Sequence, residues 1–115
     1  MMTPPKFKRF KKEFRAWQTK LGLAEYTVTF KLKKLPDSWA EFAIDAQGCV
    51  GTLVISTAHK WTLHDVRCVA LHECLHLLVA RLTEIGSRRF VEEDEISHEN
   101  ERVVCILEKI LCNGE

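Results

Sequence analysis

The sequence predicts an α+β domain in which one helix precedes a small, mostly antiparallel three-stranded sheet and two further helices follow the sheet. Two observations predict this class. Apolar residues recur every three or four positions in three long segments, and they alternate with polar residues in three short segments. A chain of 115 residues is long enough for one hydrophobic core, so we expect a single domain over residues 1–115.

The first helix is expected over residues 6–21. Its apolar positions have the spacing of one helix face: Phe7, Phe10, Phe14, Trp17 and Leu21. Residues 6–15 also carry six cations and one Glu, which would suit a surface that binds nucleic acid or a membrane. An aromatic stripe surrounded by solvated Lys and Arg is also the usual appearance of a helix docked on a sheet, and we adopt that interpretation.

Alternation of apolar and polar residues predicts three strands: residues 26–32, 39–45 and 49–56. Gln47 and Gly48 supply a turn between the second and third of these segments. The second and third strands are therefore expected to form an antiparallel hairpin.

The second helix is expected over residues 63–82. Thr62 precedes Asp65 by three positions, which is a variant of the capping box at a helix start. Gly86 is expected in the connection that follows this helix.

The third helix is expected over residues 92–112. Its first turn holds four acidic residues at 92–95, which suit the positive end of the helix dipole and are expected to be solvated. Asn113 and Gly114 can end the helix.

Composition favours a cytoplasmic protein. The 17 basic and 16 acidic residues leave a net charge of +1, so no overall field draws the chain to nucleic acid or lipid, and we expect neither as a partner. The N-terminus lacks the apolar stretch of a signal peptide, and no segment is long and apolar enough to span a membrane. The five cysteines are an odd number with no C-x-x-C pair, which predicts reduced thiols.

The segment CVALHECLHLLVA at residues 68–80 has only three strongly polar residues, His72, Glu73 and His76. Burying them in an apolar helix is costly unless they are paired or bound to metal. Histidines four positions apart lie one turn apart on one face, so His72 and His76 can bind one zinc ion per chain. Glu73 lies about 100° around the helix, where it can take a proton from a metal-bound water as the catalytic base. Cys74 points away and is expected in the core.

A catalytic zinc ion needs a third protein ligand and an open position for water. The third helix offers several chemically suitable residues: Glu92, Glu93, Asp94, Glu95, His98, Glu99 and Glu101. Glu93 and Glu99 lie nearer than Glu101 to the centre of the apolar stripe of this helix, so periodicity alone does not choose among them.

The predicted hairpin, the segment VALHECLHLLV and the later segment ENERVVCILEKIL together resemble the small zincin-like metallopeptidases encoded by phages and prophages. The architecture is also similar to that of minigluzincins, and the resemblance covers residues 26–112. In that pattern a Glu, a variable residue and two small apolar residues follow one another, which matches residues 101–104. The resemblance therefore implies that Glu101 is the third metal ligand.

The same resemblance implies a zinc-dependent metallopeptidase that hydrolyses a peptide or protein substrate. Such enzymes bind the substrate as an added strand, and the resemblance places it along the first strand of the hairpin: Ala40, Glu41, Phe42 and Ala43. His98 stays open as an alternative ligand, as a donor to the oxyanion, or as an exposed helix residue.

Two alternative functions are kept beside the peptidase. The first is a catalytically inactive zinc-binding interaction module, in which a fourth protein ligand such as His98 closes the site. The second is a DNA-associated protease, which only the basic residues 6–15 support.

Overall fold

The computed structural model describes residues 2–87 and 93–113 and shows the predicted α+β class and order of elements. The elements are α1 (Pro4–Lys20), β1 (Thr27–Lys33), β2 (Ala40–Asp45), β3 (Val50–Ser56), α2 (Leu63–Ser87) and α3 (Glu93–Asn113). Within the described ranges, no helix combines the length and the apolar character that crossing a bilayer requires. The expected end of α3 at Gly114 lies outside the described residues.

The three strands form one mixed sheet in the order β1-β3-β2. The predicted hairpin is confirmed, since β2 pairs with β3 in antiparallel fashion with Asp45 opposite Val50. The sheet is not mostly antiparallel, however, because β1 pairs with β3 in parallel. The connection between β1 and β2, residues 34–39, is too short for a crossover along the sheet, so these two strands run in opposite directions. Because β3 is antiparallel to β2, it is parallel to β1. Leu53 and Ile55 of β3 are fully buried. The most buried strand takes the central position, which leaves β1 and β2 at the two edges.

The hairpin brings Phe42 of β2 over the backbone of β3. A Cβ atom added at Gly51 would lie 2.7 Å from Cε1 of Phe42, so only glycine leaves room for the ring at this position. The loop between the strands covers residues 46–49 and includes the predicted turn. Within it, the backbone N–H of Gly48 donates to Oδ1 of Asp45 at 3.1 Å.

Helix α1 docks by its aromatic face, as predicted. Phe10 and Phe14 are fully buried, and the Phe14 ring lies edge-on to Phe30 of β1 with 5.3 Å between centroids. The cations around this face lie over aromatic rings, as the Lys20 ammonium does at 4.9 Å from the Trp17 centroid. Part of the basic character of α1 therefore covers apolar surface.

Helix α2 starts at the predicted capping box. The backbone N–H of Thr62 donates to Oδ2 of Asp65 at 2.9 Å, and the backbone N–H of Asp65 donates to Oγ1 of Thr62 at 3.1 Å. The helix continues to Ser87, so the expected end at residue 82 and the expected place of Gly86 in the connection are wrong. One glycine costs a helix only about 1 kcal/mol relative to alanine, which the neighbouring helix-forming residues offset.

Helices α2 and α3 pack against each other, and this contact positions the candidate site. Leu71 and Leu75 of α2 form a buried cluster with Val104 of α3. The early turns of α2 meet the late turns of α3, so the two helices run antiparallel.

The prediction that all five cysteines are reduced is wrong for Cys68 and Cys112, which form a disulfide with a Cα–Cα distance of 6.1 Å. The two residues are 44 positions apart, and only the antiparallel packing of α2 and α3 brings them together. Cys74 is a free thiol with no exposed surface, and burial raises its pKa to about 12. Its predicted place in the core is confirmed.

Candidate metal centre

His72 and His76 lie one turn apart on α2 and turn the same ring atom towards each other. Their Nε2 atoms are 3.3 Å apart, and both side chains are partly buried. Ligand atoms at about 2.0 to 2.1 Å from a tetrahedral zinc ion are themselves about 3.3 Å apart. The spacing of the two nitrogens therefore fits two corners of such a site.

Glu101 of α3 faces both imidazoles from the opposite helix. Its Oε1 lies 3.0 Å from Nε2 of His72, and its Oε2 lies 2.9 Å from Nε2 of His76. The Glu101 side chain is 53% exposed, so the cluster opens towards solvent on this side. The structure thus brings together the three residues that were predicted as metal ligands.

A chain of hydrogen bonds fixes the ring of His76. The hydroxyl of Thr83 donates to the carbonyl oxygen of Val79 at 3.0 Å, and Nδ2 of Asn100 donates to that hydroxyl oxygen at 2.6 Å. Oδ1 of Asn100 consequently faces Nδ1 of His76, at 2.7 Å, and can only accept. Nδ1 must then carry the proton, which leaves the Nε2 lone pair of His76 directed at Glu101.

Glu108 performs the same task for His72. Its Oε2 lies against Nδ1 of His72, about two turns along α3 from Glu101, which meets Nε2. A carboxylate at Nδ1 holds the proton on that nitrogen and raises the basicity of Nε2, as in the outer shell of many metal sites.

Charge around the two imidazoles is strongly negative. Burial alone would lower the pKa of His72, but the hydrogen bond that its ring donates to Glu108 and the nearby charges of Glu73, Glu108 and Glu101 outweigh it and raise the pKa. Burial lowers the pKa of His76, and Glu101 opposes that effect without reversing it. Three carboxylates beside two imidazoles form a donor set suited to a divalent cation.

Glu73 differs from the other carboxylates because it is buried, with 7% of its surface exposed. Burial raises its pKa to about 7, the charges of Glu101 and Glu108 act in the same direction, and His72 opposes them. One oxygen of Glu73 lies within 4.8 Å of a ring nitrogen of His72 and of His76. A carboxyl group that titrates near neutral pH beside a ligand cluster has the property that a general base requires.

Two clefts meet at Glu73 and run along the edge strand β2. The first has a volume of about 720 Å³ and is lined by Phe42 and Ile44 among other residues. The second has a volume of about 620 Å³ and is lined by Trp39 and Ala40 among others. Glu73 borders both clefts, and residues of β2, α2 and α3 line each of them.

The predicted substrate strand, Ala40 to Ala43, coincides with the first part of β2. Ala40 and Phe42 face the clefts, whereas Glu41 and Ala43 are exposed. Within residues 2–87 and 93–113, β2 pairs with β3 on one side only.

The remaining candidates on α3 lie away from the cluster. His98, Asp94 and Glu95 are exposed, and Glu99 pairs with Arg102 at 2.9 Å. No candidate metal-binding group among the described residues contains His98. The expectations for Glu92 and for the side chain of Glu93 lie outside what the structure describes.

The sequence reasoning missed Glu108 and Asn100. Glu108 follows Glu101 by seven positions, which is two helical turns, so it lies on the same face. That spacing could have predicted a second carboxylate beside α2. Asn100 adjoins Glu101 and carried no such signal, because its role depends on the rotamer of Thr83 on the other helix.

The described residues contain further candidate metal-binding groups of His, Cys and Glu besides the one around Glu73. His72, Glu101 and Cys105 form one such group, and His64, Cys68 and Cys112 form another.

Comparisons of the chain with protein-family models, with curated proteins and with solved structures find no match. The geometry of the candidate metal-binding groups is therefore the evidence for a function.

Proposed function

We propose that this chain is a zinc-dependent metallopeptidase of the zincin-like kind, with His72, His76 and Glu101 as zinc ligands. The observation that carries the proposal is the convergence of two Nε2 atoms, 3.3 Å apart, on both oxygens of one carboxylate at 2.9 and 3.0 Å. Two imidazoles and a carboxylate are a donor set found at catalytic zinc sites, which keep a fourth position open.

When bound, the zinc ion supplies a Lewis acid that makes a water molecule more acidic and polarises a carbonyl oxygen. Glu73 is the general base, because it lies buried beside the two imidazoles, where it can accept a proton and later return it to the leaving amine, and in the metal-free chain burial raises its pKa to about 7. Glu108 and Asn100 hold the two imidazoles in the tautomer that presents Nε2.

The proposed substrate is an extended peptide that adds to the free edge of β2. Backbone groups along Ala40 to Ala43 would pair with it, and side chains that alternate along the strand would enter the two clefts beside Glu73. The wall residues Trp39 and Phe42 offer aromatic surface on either side of the bond to be cleaved.

The test compares three purified proteins: wild type, Glu73→Gln and His76→Ala. We expect about one zinc per chain at this site in wild type and in Glu73→Gln, and loss of that zinc in His76→Ala. Only wild type should hydrolyse an unstructured protein substrate. Equal zinc content in wild type and His76→Ala would refute the ligand assignment, and equal hydrolysis by wild type and Glu73→Gln would refute the catalytic role of Glu73.

The same assay separates the peptidase from a zinc-binding interaction module. A module without catalysis would bind zinc through His72 and His76 but leave the substrate intact in every variant. The raised pKa of the buried Glu73 favours the peptidase, because a purely structural site has no use for a buried proton acceptor beside its ligands.

A further inference from the structure

His64, Cys68 and Cys112 form a second cluster at the other end of the contact between α2 and α3. Nε2 of His64 lies 3.4 Å from Sγ of Cys68. One ligand atom from each of the three residues lies within 4.8 Å of the others. Cys68 precedes His72 by four positions, so this cluster lies one turn along α2 from the proposed peptidase site.

The chemistry of this cluster differs from that of the first. Two thiolates and one imidazole are soft donors, which select ions such as zinc or cobalt over magnesium and calcium. His64 and Cys68 are four positions apart on one helix face, as two ligands of one ion require, and Cys112 approaches from the other helix.

The cluster is reachable from solvent. His64, Cys68 and Cys112 all line the cleft of about 620 Å³. His64 is exposed, and the two cysteines are only partly buried. A small thiol can therefore reach the disulfide, and an ion can reach the thiolates.

We propose that His64, Cys68 and Cys112 form a second metal site that binds zinc when the Cys68–Cys112 disulfide is reduced. The disulfide and the metal site exclude each other, since a sulfur bonded to sulfur is no thiolate ligand. The redox state of this pair therefore decides whether the second ion is bound. The proposal uses none of the ligands of the peptidase site.

The exchange is balanced in two steps. In the first, the disulfide accepts two electrons from two molecules of a small thiol, which leave as one small disulfide, and Cys68 and Cys112 become thiols. In the second, the two thiols lose two protons as their sulfurs bind one Zn²⁺ together with the neutral imidazole of His64. A small disulfide reverses the first step and releases the ion.

Three cysteines outside this pair are free thiols, Cys49, Cys74 and Cys105, and they differ in how near they lie to the first site. Cys105 lies near Glu101, with Sγ 3.6 Å from its Oε1, and belongs to the candidate group with His72. Cys74 is fully buried in the core. Replacing Cys105 by serine removes the only described thiol beside the first site, so any remaining thiolate signal from metal comes from elsewhere.

The experiment titrates Co²⁺ into the full chain carrying Cys105→Ser, without oxygen, in reduced and in oxidised form. Cobalt bound to thiolate gives an intense ultraviolet charge-transfer band that cobalt bound to histidine and carboxylate lacks. We expect the band and about two ions per chain in the reduced protein, and neither the band nor the second ion in the oxidised protein. Adding Cys112→Ser should abolish the band, whereas adding His76→Ala should keep it.

Circular dichroism checks that each variant is folded, and alkylation provides a second readout on the unmodified chain. Bound Zn²⁺ should slow alkylation of Cys68 and Cys112 in the reduced wild type by at least about tenfold and leave Cys49 unprotected, since Cys49 is a partly buried free thiol that belongs to no candidate metal group among the described residues. A band that survives Cys112→Ser, or equal alkylation with and without Zn²⁺, would overturn the second site. Loss of the first site in His76→Ala with the band retained would show that the two proposals stand or fall separately.

Discussion

Glu108 contacts Nδ1 of His72 and leaves Nε2 of that ring to face the rest of the cluster. One imidazole thus has a carboxylate at each nitrogen, Glu108 on one edge and Glu101 on the other. The two carboxylates therefore have different proposed roles, Glu108 as the residue that orients the ring and Glu101 as a metal ligand.

Replacing Glu108 should weaken metal binding without removing a ligand. We expect Glu108→Ala to lower zinc affinity by about 10- to 100-fold, because the ring of His72 loses the partner that orients it. Competition with a chromophoric chelator measures the change. Glu99→Ala is the matched control, since Glu99 pairs with Arg102 on the exposed face of the same helix. Equal affinity of Glu108→Ala and Glu99→Ala would refute the orienting role.

Glu101 and His98 should respond in opposite ways. Glu101→Ala removes a proposed ligand, so zinc bound at the His72 and His76 pair should be lost during dialysis against a weak chelator. His98→Ala should keep that zinc, because His98 is exposed and lies outside the candidate groups. Metal analysis of the two variants measures this directly. The reverse result would make His98 the third ligand and Glu101 a surface residue.

The hydrogen bonds that link Val79, Thr83 and Asn100 to His76 should affect zinc affinity less with each step away from His76. Asn100→Ala removes the acceptor at Nδ1 of His76 and should lower zinc affinity by about tenfold or more. Thr83→Val removes only the hydroxyl oxygen that accepts from Nδ2 of Asn100, so zinc affinity should fall by a smaller factor. Chelator competition with Ser97→Ala as the control, on the same helix and cleft, orders the three. A larger loss of zinc affinity in Thr83→Val than in Asn100→Ala would contradict this series of hydrogen bonds.

Stability of the metal-free protein should fall as pH rises through the range set by Glu73. The pKa of Glu73 is raised from 4.5 to about 7 in the folded chain. As pH rises, the carboxyl group therefore loses its proton in the unfolded chain first, and folding at a pH between the two values must take up a proton. Between about pH 5 and pH 8 the free energy of unfolding should drop by roughly 2 to 3 kcal/mol from this group. The drop is complete above the folded pKa and absent below 4.5.

Urea unfolding of wild type and Glu73→Gln at a series of pH values, with a chelator present, isolates this contribution. The two histidines are common to both proteins, so their titration cancels to first order in the difference. Parallel curves for the two proteins would show that Glu73 has an ordinary pKa in the folded state.

Reducing the Cys68–Cys112 disulfide should destabilise the metal-free protein. The bond closes a loop of 44 residues, and the chain-entropy relation gives about 4 kcal/mol for such a loop, with about 2 kcal/mol as a common measured outcome. Unfolding of wild type with and without reductant, in chelator, measures the difference. The double variant Cys68→Ser and Cys112→Ser should be insensitive to reductant, and any sensitivity there would assign the effect to something other than this bond.

Local rules predicted most elements of this fold. The alternation in β2 and β3, the capping box at Thr62 and the aromatic face of α1 each depend on residues a few positions apart, and each was confirmed. The end of α2 was misplaced because a single glycine is too weak a signal to stop a helix. The position of β3 between β1 and β2 depends on which strand is buried most deeply, and a local pattern does not contain that information.

The candidate site divides in the same way. The spacing of His72, Glu73 and His76 places them on one turn of helix, and the structure does so. Glu101 was chosen by resemblance, and the structure brings it to the two histidines, while its role as a ligand stays a prediction. Asn100 and the Cys68–Cys112 pair depend on the antiparallel contact of two helices, which residues far apart in sequence create only after folding.

The two clefts that share Glu73 have a consequence for the products of the proposed reaction. About 720 Å³ lies on one side of this carboxylate and about 620 Å³ on the other. A substrate peptide bound along β2 would pass Glu73 and extend beyond it in both directions, so the enzyme would not need to recognise either end of the peptide. We therefore expect endopeptidase behaviour, in which early digestion yields a few large fragments rather than free amino acids.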